Sequence, residues 1–112
     1  MLTLRERAGP ETGDATTRYP LRFRRLEPGE SWEVAYLAFR DATSAPTSID
    51  VYLDGHGYKH YLVQQQPTTA NYIYFLDRPF WVEEGETLVV EFVAGGASDV
   101  MEAWATGLKD RA

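Results

Sequence analysis

Two stretches of the sequence decide the fold: LEPGESWEVAYLA at residues 26–38 and VEEGETLVVEFVA at residues 82–94. Aligned without gaps, they share five of thirteen residues, and in each a Glu-x-Gly-Glu turn precedes an apolar strand. Gly29 and Gly85 supply a backbone shape that a side chain would obstruct. The repeat predicts two similar strand–turn–strand halves that face each other, as in a jelly roll built from two Greek keys. The alternative is that tight turns use the same few residues whatever the fold.

Apolar residues recur with a period of two from Tyr19 onward, and no segment has helical periodicity. Seven or eight short strands at a spacing of about 10–12 residues are typical of an antiparallel sandwich. We therefore predict an all-β, jelly-roll-like antiparallel β-sandwich over residues 19–108, followed by a C-terminal tail at 109–112. The strand after residue 30 should be central or lie at an interface, because both its faces are apolar. These faces are Trp32, Val34 and Tyr36 on one side and Ala35, Leu37 and Phe39 on the other.

The first eighteen residues differ in composition from the rest, since they hold few large apolar side chains and are rich in small polar ones. This favours an extended N-terminal arm at residues 1–18, whose removal should leave the sandwich folded. The first 25 residues carry six arginines against three acids, whereas the rest of the chain carries five basic residues against fourteen acids. The arm is therefore expected to lie on an acidic surface, its own or a neighbour's, unless it is a solvated tail. The chain is expected to assemble through this arm, and the predicted interface residues of the arm are Leu2, Leu4, Arg5, Arg7 and Arg18.

Composition narrows the classes of function. The chain has 112 residues, no cysteine and a net charge of −6. That length fits one domain with one core, and the lack of cysteine excludes disulfides, thiolate-bound metals and thiol catalysis. The acidic balance argues against nucleic acid as a ligand, because duplex binders need basic faces. The apolar runs are too short for a membrane helix or for the core of a signal peptide, so we expect no membrane partner and synthesis in the cytoplasm.

The two histidines, His56 and His60, are spaced four apart, but this spacing falls on a predicted Asp54-Gly55-His56-Gly57 hairpin turn. A three-histidine zinc site is impossible with only two histidines, and the metal set of a cupin is absent. We therefore interpret both histidines as turn or surface residues.

Carboxylates are the remaining candidates for chemistry. Asp50 with Asp54, or Asp99 with Glu102, could be the acid and base of a glycosidase, and Asp41, Asp50 and Asp54 could hold calcium at a loop end. The acids are so numerous, however, that solvated faces explain them better. We expect no catalytic residue, no metal and no cofactor, and a small enzyme is the least favoured hypothesis.

Aromatic residues give a stronger signal than the polar ones. A set of them alternates with better core candidates and should point outward, where aromatic rows mark protein interfaces or sugar-stacking platforms. An ordinary half-buried sheet surface is the alternative. The predicted interface or glycan platform consists of Tyr52, Tyr58, Tyr72, Tyr74 and Trp81.

The order of segments resembles a known class of proteins. A polar N-terminal segment, PGESW at 28–32 opening an apolar strand, IDVYL at 49–53 and EGETL at 84–88 are similar to small β-sandwich structural proteins of tailed bacteriophage virions, of the head-decoration, head-fibre or tail-attached type. The resemblance implies a non-enzymatic homo-oligomer, often a trimer, that binds other virion proteins such as a major capsid protein. It also implies location in the virion after synthesis in the host cytoplasm. The alternative function is a carbohydrate-binding module that uses the exposed tyrosines to hold a glycan.

Overall fold

The computed structural model describes residues 1–13, 18–44, 46, 48–69, 72–94 and 99–111. All regular secondary structure in these ranges is β-strand, which confirms the all-β prediction. The strands are β1 (Leu2–Thr12), β2 (Arg18–Arg22), β3 (Glu30–Asp41), β4 (Ser48–Gly55), β5 (Tyr58–Gln66), β6 (Tyr74–Leu76), β7 (Phe80–Val82), β8 (Thr87–Val93) and β9 (Val100–Arg111).

The strands pair as a nested antiparallel ribbon. β1 pairs with β9, β2 with β8, β3 with both β6 and β7, and β4 with β5. The ribbon folds into two sheets. The five-stranded sheet has the order β1-β9-β3, with β6 and β7 along the other edge of β3, and the four-stranded sheet has the order β2-β8-β4-β5. Pairing the chain from its ends inward and rolling the ribbon into two layers gives the jelly-roll topology that the repeat predicts.

The core fills the space between the two sheets. Its fully buried side chains include Trp32, Phe39 and Phe92. Phe23 meets Trp32 edge to face, with ring centroids 6.4 Å apart, a geometry that aromatic pairs favour. Burial of this apolar surface is the main force that holds the two layers together.

The two repeated turns have the same conformation and lie side by side. Gly29 and Gly85 have φ angles of 79° and 81°, and the N–H groups of Glu30 and Glu86 donate to the carbonyl three residues earlier at 3.0 and 3.1 Å. These are type II β-turns, which need a positive φ at the third residue. The carboxylates of the same two glutamates accept the N–H of the first turn residue at 3.0 and 2.7 Å. The Gly85 N–H also donates to the Leu26 carbonyl at 3.4 Å, which joins the two turns.

One extra residue in β3, Ala35, interrupts the pairing of β3 with β9. Val34 lies opposite Gly107 and pairing resumes at Tyr36, so that Ala35 forms a β-bulge. Glycine is required at position 107 because a Cβ there would overlap the carbonyl oxygen of Glu33. The close approach of the two strands at the bulge therefore depends on the absence of a side chain.

The bulge corrects the predicted faces of β3. The sequence predicts two opposite apolar faces, but an extra residue shifts the alternation by one, so that side chains from both predicted faces point into the core. Tyr36 is turned to the outer side of the sheet. The core residues from before and after the bulge are Trp32, Val34, Leu37 and Phe39.

The N-terminal segment is a strand and not an arm. β1 pairs with β9 along most of its length, and Leu4 and Ala8 are buried in the core. The prediction of an unpacked arm is therefore wrong for residues 2–12, and residues 109–111, predicted as a tail, belong to β9. Residues 14–17 of the predicted arm and residue 112 of the predicted tail lie outside the described residues.

If β1 is part of the core, Leu4→Ala should reduce the free energy of unfolding by about 2–5 kcal/mol, because it leaves a cavity under the sheet. Urea unfolding followed by tryptophan fluorescence measures the change. Leu2→Ala is the matched control, since Leu2 is 58% exposed on the same strand, and it should change stability by less than about 0.5 kcal/mol. Equal stability of both variants and the parent would show that the segment does not pack.

Candidate functional site

The outer face of the five-stranded sheet carries a group of exposed apolar side chains, the aromatic patch, formed by Tyr36, Phe75, Trp81 and Leu108. They are between 39% and 57% exposed. Trp81 and Leu108 flank Glu33 from either side in the pairing register, and the rings of Tyr36 and Phe75 stack with centroids 5.5 Å apart. The patch therefore extends over β9, β3, β6 and β7 on one side of the sheet.

The aromatic residues predicted as one platform are divided between the two sheets. Tyr58 is exposed at the β4–β5 hairpin of the four-stranded sheet. Tyr74 is half-buried on the five-stranded sheet, where it stacks on core residue Phe39 and packs against Tyr72 at 4.9 Å between centroids. Trp81 is in the aromatic patch. The predicted set is therefore not a continuous stacking surface.

Tyr52 is a further correction, because the sequence predicts an exposed ring and the structure leaves it only 1% exposed. Its side chain is covered by Tyr61, with ring centroids 5.3 Å apart, and by Lys59, whose Nζ lies 4.9 Å from the ring centroid. Burial and the neighbouring Glu91 raise the pKa of Tyr52 well above its ordinary value. The hydroxyl therefore stays protonated and donates a hydrogen bond to Glu91 at 3.1 Å.

Two of the arginines predicted to lie on an acidic surface contact carboxylates of their own domain. Arg7 Nη2 lies 3.3 Å from Glu102 Oε2, and Arg18 Nη1 lies 2.8 Å from Glu91 Oε2. The other predicted contact residues are divided between surface and core: Leu2 and Arg5 are exposed, and Leu4 is buried.

The outer face of the four-stranded sheet carries a cleft of about 520 Å³, the polar cleft. Asp50 of β4 and Glu91 of β8 lie opposite each other in the register, and both are more than nine-tenths buried. Arg18 of β2 bridges them, because its Nη1 is also 3.3 Å from Asp50 Oδ2. Two carboxylates are thus held side by side with one guanidinium between them, which offsets the repulsion of directly opposed like charges.

β5 completes the polar cleft by departing from regular pairing. Its register against β4 shifts twice, and Gln65 has a positive φ of 58°. This backbone shape brings the Gln65 N–H to 2.7 Å from Asp50 Oδ1. The other residues that line the cleft are Ser48, Lys59, Tyr61, Gln64, Pro67 and Val93.

Glu102 is a comparable buried carboxylate on the outer face of the five-stranded sheet. It is 6% exposed, and it accepts hydrogen bonds from Arg40 at 2.8 Å and from Arg7 at 3.3 Å. Arg40 also lies over the Trp104 ring, 5.7 Å from its centroid. Two arginines therefore neutralise this single carboxylate.

A carboxyl pair lies where β3 ends and β9 begins. Asp41 and Asp99 are both buried, and Asp41 Oδ1 accepts the N–H groups of Thr43 and Ser44 at 2.9 and 3.1 Å. Burial first, and the neighbouring Asp99 second, raise the pKa of Asp41 to about 6. Asp41 Oδ2 is buried and has no hydrogen-bond partner among the described residues, which favours a proton on this carboxyl under mildly acidic conditions.

The expectation that the acids form solvated faces is wrong for Asp50, Asp99 and Glu102. Strand alternation does place Asp50 on the outer side of its sheet, but residues from other strands cover it there. Arg18 is 32 positions away in the sequence, and Gln65 is 15 positions away. Contacts between residues so far apart in the chain cannot be predicted from a local sequence pattern, and the polar cleft therefore could not be predicted from the sequence.

The histidines lie on the predicted hairpin. His56 and Gly57 have positive φ angles of 56° and 84°, so the tight turn is formed by this pair, two residues after the Asp54-Gly55 pair that predicted it. His60 is exposed on β5. Among the described residues, no group of three or more histidine or acidic side chains is placed to hold a metal ion. The described part of the chain also contains no helix that is long and apolar enough to cross a membrane.

Comparisons with known proteins find little similarity. Neither a scan against protein-family models nor a search of curated proteins returns a match. A search of solved structures finds a chain of the structure of infectious bursal disease virus Gx strain, with a TM-score of 0.42 and 10% sequence identity. The similarity covers 96% of this chain but only 28% of that one. Function is therefore inferred from the fold and the surfaces of the chain itself.

The raised pKa of Asp41 predicts a specific pH dependence of stability. A folded-state pKa above the ordinary value means that the native state holds the proton more tightly than the unfolded chain does. The resulting stabilisation is complete below about pH 4 and is lost as the pH rises through about 6. Asp41→Asn, which mimics the protonated form, should remove this decline and increase stability at pH 8 by about 1–3 kcal/mol.

Thermal unfolding of the parent and the variant between pH 4 and pH 8 measures this effect. Asp54→Asn is the control, because Asp54 is partly exposed and pairs with Arg22 at 3.0 Å; it should retain the decline of the parent. A decline that persists in Asp41→Asn would show that the proton is not held by this pair.

Proposed function

We propose that this protein is a non-enzymatic structural component of a virus particle, and that it assembles with further copies of itself through the aromatic patch. The observation that carries this proposal is the patch. Groups of exposed apolar side chains on one face of a protein are often functional and mark association sites. The jelly-roll topology supports a virion role because it recurs in capsid domains, although lectins and cupins share it.

The geometry of the patch suits an interface. Trp81 and Phe75 are each 57% exposed, and aromatic side chains are the usual anchors at the centre of protein interfaces. All four patch residues project from paired strands, and Tyr36 already stacks on Phe75 in the single chain. Tyr36 and Phe75 therefore have less side-chain freedom to lose on association, which favours affinity.

The edge of the sheet next to the patch favours association through side chains. β6 and β7, which form this edge, are only three residues long each. Short edge strands limit strand-to-strand pairing with other chains, so the side chains of the patch should make the contact at this edge. By the resemblance to phage proteins we expect a trimer that docks on a partner such as a major capsid protein, as a head-decoration, tail-attached or fibre-associated protein.

Trp81→Ser should weaken self-association by about 30-fold, corresponding to about 2 kcal/mol, if Trp81 is an interface anchor. Light scattering across a concentration series measures the native mass of the parent and the variant. Circular dichroism should show an unchanged fold, since the Trp81 ring is mostly outside the core.

Tyr58→Ser is the matched control, because Tyr58 is 62% exposed but lies on the other sheet; its mass should equal that of the parent. A parent that stays monomeric at every concentration would contradict self-assembly. The virion role is tested separately by quantitative mass spectrometry of purified particles, where the chain should be present at a fixed copy number. Absence of the chain from those particles would contradict that role.

A further inference from the structure

We propose that the polar cleft is a binding site for a neutral, hydroxylated ring, of which a pyranose sugar is the chemical type. The site lies on the four-stranded sheet, away from the aromatic patch, and it does not depend on the assembly role. It also differs from the predicted tyrosine platform, because its specificity would come from Asp50, Glu91 and Arg18, and Tyr61 is the only aromatic residue among the described residues that line it.

The charges of the polar cleft favour a neutral ligand. Arg18 and Lys59 contribute two positive charges, and Asp50 and Glu91 contribute two negative ones. A strongly charged ligand would be attracted by one pair and repelled by the other, so its net electrostatic gain would be small. A neutral ligand with many hydroxyl groups can interact favourably with both the positive and the negative side chains.

The hydrogen-bonding groups of the cleft fit hydroxyls in particular. From the described residues, each buried carboxylate already accepts two hydrogen bonds: Asp50 from Arg18 and Gln65, and Glu91 from Arg18 and Tyr52. A carboxylate has about four acceptor sites, so capacity remains on both. Arginine and lysine supply donors beside them, and the Gln64 side chain supplies a donor and an acceptor. A sugar hydroxyl, which donates and accepts at once, can use both kinds of group.

The two carboxylates of the polar cleft are held in fixed positions although their burial is energetically unfavourable. Burying two carboxylates on the outer side of a sheet is unfavourable unless each is fully paired. Threonine or valine at these two positions would avoid this desolvation penalty. Arg18, Tyr52 and the bulged β5 hold both carboxylates in fixed positions. Fixed charged acceptors at the base of a cleft are the feature that makes a polar site selective.

Tyr61 supplies the apolar side of the site. One side of its ring packs on Tyr52, yet the residue remains 41% exposed and lines the cleft. A tyrosine held in this way presents a rigid apolar surface with a polar tip, which suits the C–H face of a sugar ring. The cleft volume of about 520 Å³ lies within the range of about 300–1,000 Å³ that is usual for small-molecule sites.

The test is a titration followed by two-dimensional amide NMR spectra, with glucose, galactose, mannose and N-acetylglucosamine as separate probes. At least one sugar should cause saturable shifts that are confined to the amides around residues 48–50, 59–65 and 91–93, with a dissociation constant of about 1–10 mM. No saturable shift with any of the four sugars at about 100 mM, or shifts centred elsewhere, would overturn the proposal.

Two variants with matched controls connect the binding to these residues. Glu91→Gln should weaken the binding of the sugar at least tenfold, because it removes a charged acceptor. Glu102→Gln alters an equally buried carboxylate on the other sheet and should leave the affinity for the sugar unchanged. Tyr61→Ala should weaken binding and Tyr58→Ala should not. Equal affinities for Glu91→Gln and Glu102→Gln would show that the polar cleft is a structural network only. None of the four changes lies in the aromatic patch, so native mass should be the same in all, and a failure of sugar binding remains separate from a failure of assembly.

Discussion

The extra residue at Ala35 decides which side chains of β3 face the core, and the central pair of the five-stranded sheet depends on it. Without the bulge, regular alternation would place Leu37 and Phe39 on the outer side of the sheet whenever Trp32 and Val34 point inward. With the bulge, all four are buried and Tyr36 is turned outward onto Phe75. The bulge in turn needs Gly107 on β9, where a side chain would collide with the backbone of β3. One backbone contact therefore sets both the core and the position of the aromatic patch.

The parts of the fold that follow from local chemistry could be predicted from the sequence. The period of two indicates strands. The repeated glycines and glutamates predict two equivalent turns, and in the structure both turns have a glycine with a positive φ angle and a glutamate carboxylate that accepts the N–H of the first turn residue. β1 could not be predicted in the same way. Its composition is that of an arm, and only its pairing with β9, at the other end of the chain, makes it a strand. The local order of apolar and polar residues does not show that a segment pairs with a strand at the other end of the chain.

The same limit applies to the candidate sites. Trp81 is identifiable from sequence because it alternates with the buried Phe80 and Val82 on a short strand. Asp50 and Glu91 are not identifiable, since an acid at an outward strand position is normally solvated. Their burial results from Arg18 on one side and an irregular β5 on the other. A single exposed residue on one strand can thus be inferred from sequence, whereas sites assembled by several strands, which include the aromatic patch with Tyr36, Phe75 and Leu108, require the structure.

The two proposed surfaces lie on opposite layers of the sandwich, and this separation has a physical consequence. Copies joined through the aromatic patch of the five-stranded sheet would leave the four-stranded sheet of every copy uncovered. Several polar clefts would then be carried by one particle. A single cleft that binds a sugar at millimolar strength is too weak to hold a particle on a surface, but linked sites act at a high effective concentration and together can gain a factor of about 100–10,000 in affinity. Under the two proposals, weak binding by each chain and assembly of the chains would therefore be complementary.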